Sequence, residues 1–85
     1  MKKILIIGKR GFLGKNLHEY LNKKFRSKII HFKDINKFKK KINNFNYVIN
    51  TSINKNYINK RYLKKYDNDF KISKLINSKE TTYIF

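Results

Sequence analysis

Gly8, Gly11 and Gly14 are the only glycines in this chain, and they follow directly on the apolar run Ile4-Leu5-Ile6-Ile7. Glycines at this spacing after a strand-forming run predict a strand, a tight turn and a helix, a geometry suited to a diphosphate. A phosphate needs backbone N–H groups aimed at it, the positive end of a helix, and no side chain in the way. Gly8 would permit the turn off the strand. Gly11 would let the backbone touch the pyrophosphate, and Gly14 would let the helix lie close to the sheet. The amides near Phe12 and Leu13 are the expected donors. A plain turn before a helix would not require Gly14 one turn into that helix, where glycine costs about 1 kcal/mol relative to alanine.

The elements that must hold this turn follow from apolar spacing. Ile4 to Ile7 has no alternation, as in a strand covered on both faces. Leu13, Leu17, Tyr20 and Leu21 make one helical stripe, predicting a helix over 12–24. Residues 28–32 read as a second strand. Asp34 or Asn36 can cap a helix whose stripe is Ile35, Phe38, Ile42 and Phe45. Residues 47–50 read as a third strand and 51–56 as a polar loop. Ile58, Tyr62, Leu63, Tyr66 and Phe70 share a helical face, but Ile72, Leu75 and Ile76 are displaced from it by roughly a third of a turn. A break near Asp67-Asn68-Asp69 is expected, with helical pieces over 58–66 and 69–77. Residues 81–85 read as a fourth strand. The order βαβαβαβ with short connections predicts an α/β fold: a parallel, three-layer sheet of about four strands with right-handed crossovers. The chain reads as one domain over 1–85 that stops within its fourth strand, as a truncated fold would.

Composition bounds the partners. The net charge is +17, with 22 Lys+Arg against 5 acids. Such a balance usually points to nucleic acid or an anionic membrane. Here lysine is spread over almost every segment, and Lys, Asn and Ile supply 44 of the 85 residues, with no Ala or Pro, a bias that AT-rich coding produces. Dispersed lysine speaks to non-specific binding, not to a recognition patch. The rival reading is a small basic nucleic-acid-binding domain whose 13 Phe and Tyr residues would have to be exposed stacking platforms. The longest apolar runs are about four residues, far short of the ~20 that span a bilayer. The basic start Met1-Lys2-Lys3 leads into no signal-peptide h-region, since Lys9 and Arg10 follow Gly8 at once. A soluble, cytoplasmic chain without a membrane partner is expected. There is no cysteine and no metal-ligand cluster, and His18 and His31 stand alone.

The pattern Gly8-x-x-Gly11-x-x-Gly14, led by Lys3-Ile4-Leu5-Ile6-Ile7 and trailed by Phe12-Leu13-Gly14-Lys15-Asn16-Leu17, resembles the extended short-chain dehydrogenase/reductase family. Its members are NAD(P)-dependent epimerases, dehydratases and reductases of nucleotide sugars, dTDP-4-dehydrorhamnose reductase and GDP-fucose synthase among them. Tyr47-Val48-Ile49-Asn50-Thr51-Ser52 resembles the family's second motif, a strand end beside the cofactor usually written with Asn and two alanines; Thr51 and Ser52 depart from the alanines but stay small. The resemblance implies a Rossmann-type half-domain that binds NAD(P) and meets a nucleotide-sugar substrate only in a full-length form. An acid at the end of the second strand would favour NAD through the ribose 2′-OH, and a cation there NADP through the 2′-phosphate. Asp34 is the acid. Lys33 precedes it, and Arg10 sits where NADP-using relatives carry arginine, with a planar fork suited to phosphate. NADP is therefore favoured over NAD.

The family's chemistry also needs a Ser or Thr after the fourth strand and a Tyr-x-x-x-Lys beyond it, and the sequence stops at Phe85 before either. Tyr20 to Lys24 has that spacing but lies in the first helix, where Tyr20 reads as a core residue and Lys24 as a surface one. Asn68 matches the family's active-site asparagine, or else is a helix cap. His31 reads as packed in a strand. No residue is assigned a catalytic or metal-binding role, and the chain is expected to be inactive alone.

Overall fold

A computed structural model of the chain describes residues 2–9, 11–52 and 67–84. Arg10, the helical piece expected over 58–66 and Phe85 lie outside the described residues. Four strands, β1 (Lys3–Ile7), β2 (Arg26–Ile30), β3 (Tyr47–Asn50) and β4 (Thr82–Ile84), form one sheet in the order β2-β1-β3-β4. All three pairings are parallel, so the chain has a small α/β fold. Helices α1 (Phe12–Leu21) and α2 (Asp67–Leu75) belong to the connections before β2 and β4. No helix among the described residues is long and apolar enough to cross a membrane.

β1 is hydrogen-bonded on both sides, and Leu5, Ile6 and Ile7 are fully buried, which is why the run shows no polar alternation. Register assigns the faces. Leu5, Ile7, Ile30 and Val48 point one way and join Ile35, Ile42 and Ile72 in the core, with Phe32, Phe38, Phe45, Leu75, Ile76 and Tyr83 packed around them. α1 lies over the other face, across β1 and β2, where the Ser27 hydroxyl hydrogen-bonds His18 Nδ1 at 2.8 Å.

Five expectations are corrected. Leu13 and Tyr20 are 64% and 59% exposed, so Tyr20 is not a core residue. Buried Gly14 brings α1 closest to the sheet, and the inward face therefore centres on Gly14, Leu17, His18 and Leu21. α1 stops at Leu21, not Lys24, because the Lys24 and Phe25 amides both turn back to the Leu21 carbonyl at 3.0 and 2.9 Å. β2 starts and ends two residues early, since Arg26 pairs with Lys3 and His31 leaves the strand to accept the Lys33 N–H on Nδ1 at 3.0 Å. His31, and neither Asp34 nor Asn36, is thus the cap of the next segment. That segment is not an α-helix: it is two 3-10 helices, Phe32–Phe38 and Ile42–Asn44, which still place Ile35 and Ile42 in the core.

The described part of α2 runs from Asp67 and ends two residues short of the expected 77. Asn43 ties its far end down. The Asn43 amide donates to the Leu75 carbonyl at 3.1 Å and its oxygen accepts the Asn77 and Ser78 N–H groups at 2.8 and 3.1 Å. The Thr81 hydroxyl bonds the Phe45 carbonyl at 2.7 Å, and the segment entering β4 is set against β3.

Candidate functional site

The glycine turn leaves the C-terminal end of β1 and opens α1. Gly8 has φ +133°, a conformation that glycine adopts and side-chain-bearing residues avoid. Its N–H donates to the Ile30 carbonyl at 2.9 Å, which pins the turn to the end of β2. Gly14 is there for space. A Cβ on it would lie 2.4 Å from the Gly8 carbonyl oxygen and 2.8 Å from Thr51 Oγ1. Gly11 differs from both. Its backbone is extended (φ −84°, ψ 147°), it is exposed, and a Cβ on it would meet only the Gly8 oxygen at 3.4 Å. The fold makes no use of the missing side chain at Gly11.

The mouth of α1 carries no side-chain cap and no acid in its first turn. The amides of Phe12, Leu13 and Gly14 precede the first backbone bond of the helix, Lys15 N–H to the Gly11 carbonyl at 3.2 Å. They make an electropositive end. Phe12 stands beside it at 86% exposure.

β3 ends alongside. The Thr51 N–H and hydroxyl both donate to the Ile7 carbonyl, at 2.8 and 2.9 Å, and the side chain fills the seam between Gly8 and Gly14. Thr51 is thus spent on holding the turn. Ser52 is bound through Asn50, whose Oδ1 accepts the Ser52 N–H at 2.9 Å, and through Asn68, whose amide donates to Ser52 Oγ at 3.1 Å. Asn68 is buried inside α2 and does not cap it.

On the other side of the turn, Lys9, Lys15, His31, Lys33 and Asp34 line an open concavity of about 490 Å³ at the end of β2. Lys33 is exposed there, while Asp34 pairs with Lys37 at 3.6 Å. The structure therefore brings together Gly8, Gly11, Phe12, Leu13, Gly14, Thr51 and Ser52 around the turn, and sets Lys33 and Asp34 beside it. Arg10 lies outside the described residues. Tyr20 is near the other end of α1, eight residues and about 12 Å along the axis from its mouth, and Lys24 lies just past that end. The Lys24 ammonium lies over the Tyr20 ring at 5.9 Å.

Comparison with protein-family models, with curated proteins and with solved structures gives no match. Chemistry at this site is read from its own geometry.

Sequence reasoning missed Lys9, Lys15 and His31, because two lysines among 19 carry no signal and His31 looked like a strand residue. It also missed Asp69 and Tyr83. The Asp69 carboxylate oxygen Oδ1 accepts from the Asn50 amide at 2.8 Å and from the Tyr83 hydroxyl, under the end of β3. Burial first, then the hydrogen bond and negative charge of Asp69, hold the Tyr83 phenol in its protonated form well above the ordinary range. The unfolded chain would ionise that phenol near pH 10 while the folded chain keeps its proton. The Tyr83 contribution to stability is therefore complete below about pH 10 and declines as pH rises above it. Urea unfolding followed from pH 8 to 11 should show this decline, and Tyr83→Phe should flatten it relative to the native chain.

Proposed function

We propose that this chain binds a dinucleotide, NADP in preference to NAD, as the Rossmann-type cofactor half of an extended short-chain dehydrogenase/reductase acting on nucleotide sugars. The observation that carries this reading is Gly11: exposed, with a missing side chain that the fold does not require, next to an uncapped helix mouth. The switch point of the sheet supports a ligand site at this turn, although its order 2-1-3-4 differs from the 3-2-1 of the usual Rossmann half. β2 and β3 lie on opposite sides of β1, so the ends of β1 and β3 flank the point where strand order reverses, the usual ligand crevice of open α/β sheets. The pyrophosphate would rest on the Phe12, Leu13 and Gly14 amides. The adenosine ribose would lie toward the end of β2, where Lys9, Lys15 and Lys33 suit a 2′-phosphate and Asp34 is already paired with Lys37. No residue of the chain is assigned the proton transfer or hydride-transfer chemistry of such enzymes, so binding without turnover is the activity proposed.

The test is equilibrium titration of the purified chain with NADPH and NADH, read by nicotinamide fluorescence. NADPH should bind more tightly than NADH, Lys33→Glu should erase the difference, and Gly11→Val should weaken both by on the order of a hundredfold, about 2.7 kcal/mol. Equal binding by the native and Gly11→Val chains, or binding of neither cofactor, sinks the reading. Salt-sensitive binding of single-stranded DNA that survives loss of Lys9 and Lys33 would favour the nucleic-acid rival instead.

A further inference from the structure

Among the described residues, the face of the sheet that carries α1 is only half covered. Ser27 is in register with Ile4, and its bond to His18 shows which face α1 occupies. By the same register Ile6, Ile49 and Ile84 point to that face, as do Ile4, Tyr47 and Thr82. α1 spans β1 and β2, and Ile84 on β4 is left 43% exposed. At 100° per residue, His18 and Asn22 fall on the flank of α1 toward β2, where both reach Ser27. Leu13, Leu17 and Tyr20 fall on the opposite flank, toward β3 and β4. The result is a trough with α1 as one wall and two strands as its floor. Two strands at about 4.8 Å spacing leave room for one helix of about 10 Å diameter.

We infer that this trough docks a single amphipathic helix with acidic flanks, supplied by a partner protein. The apolar residues Leu13, Tyr20, Ile49 and Ile84 would meet its stripe. The sign of its flanks follows from the rim, where the Lys24 ammonium sits 5.9 Å from the Tyr20 ring centre and the Lys2 ammonium 5.7 Å from that of Tyr47. A second copy of the chain brings another +17 to a basic rim and is disfavoured. Residues 53–66 of this chain have five Lys or Arg and no acid, so their charge is also of the wrong sign. Apolar surface with cations on its rim favours a partner of the opposite sign.

The experiment titrates the full chain against two fluorescein-labelled synthetic helices with the same leucine stripe, one flanked by Glu and one by Lys. Fluorescence anisotropy should show the Glu-flanked helix binding at least about tenfold more tightly. Tyr20→Glu and Ile84→Asp, both at exposed positions, should each weaken it about tenfold while the circular dichroism spectrum is unchanged. Ile84→Leu should bind like the native chain. Equal binding of the two helices, no binding of the Glu-flanked one, or binding untouched by both acidic variants overturns the inference. So does a sedimenting dimer of the native chain that Ile84→Asp dissociates, which would assign the trough to a second copy.

Discussion

Gly14→Ala is expected to cost this chain about 3 kcal/mol or more, although alanine is the better helix former. The new Cβ would lie 2.4 Å from the Gly8 carbonyl oxygen, which is backbone and cannot swing aside. Relief requires moving α1 off the sheet or the turn off β1, and either motion breaks the Gly8 N–H bond to Ile30 or the Thr51 bonds to Ile7. A chain of this length has only about 4–13 kcal/mol of stability to lose. The midpoint of thermal unfolding, followed by circular dichroism, should fall by more than about 10 °C. Gly11→Ala is the matched control. Its extended backbone and 3.4 Å clearance accept a methyl group, and the stability should stay within about 0.5 kcal/mol of native. If both variants unfold alike, the separate roles given to Gly14 and Gly11 are wrong.

Asp69→Ala carries the next largest effect. It removes the one oxygen that accepts from both the Asn50 amide and the Tyr83 hydroxyl in a part-buried setting. A donor that loses its acceptor costs about 1–3 kcal/mol, at the lower end here because Asn50 and Tyr83 still hydrogen-bond each other. A loss of about 2–4 kcal/mol is expected in urea unfolding at pH 7. Because both donors meet the same oxygen, Asp69→Asn, with its carbonyl placed there, should recover most of the loss. The effect reaches the turn, since Asn50 also holds the Ser52 N–H beside Gly8. Failure of Asp69→Asn to recover stability would mean that the negative charge matters more than the shared acceptor.

The strands were legible because their signals are local and strong: Ile4–Ile7 and Tyr47–Asn50 are dense in β-formers, and both appear as strands. The glycine turn was legible because three glycines in a chain otherwise without them leave little choice. The segment after β2 misled. Its stripe has spacings of three, four and three, which an α-helix fits. Yet Phe32, Ile35 and Phe38 recur every three residues, the period of a 3-10 helix, and the spacing of four falls between the two pieces. The exposed flank of α1 was misread because two expectations conflicted: Gly14 was expected against the sheet, and so was the stripe through Leu13 and Tyr20, about 100° away around the helix. Among 12 asparagines nothing marks Asn43, and the bonds that Asn43, Asn50 and Asn68 make reach partners distant in sequence.

The strand order also decides where one molecule meets the next in concentrated solution. β2 and β4 are the sheet margins. β2 presents Arg26 and Lys28, exposed cations of the kind that deter ladder extension. β4, Thr82–Ile84, has no charge of its own to do so. Long-range repulsion between +17 chains keeps the β4 margins of two molecules apart in dilute buffer, and salt shortens its reach to about 3 Å at 1 M. Precipitation at high ionic strength should therefore begin by β4 adding to β4, and a lysine at position 82 would raise the concentration at which it starts.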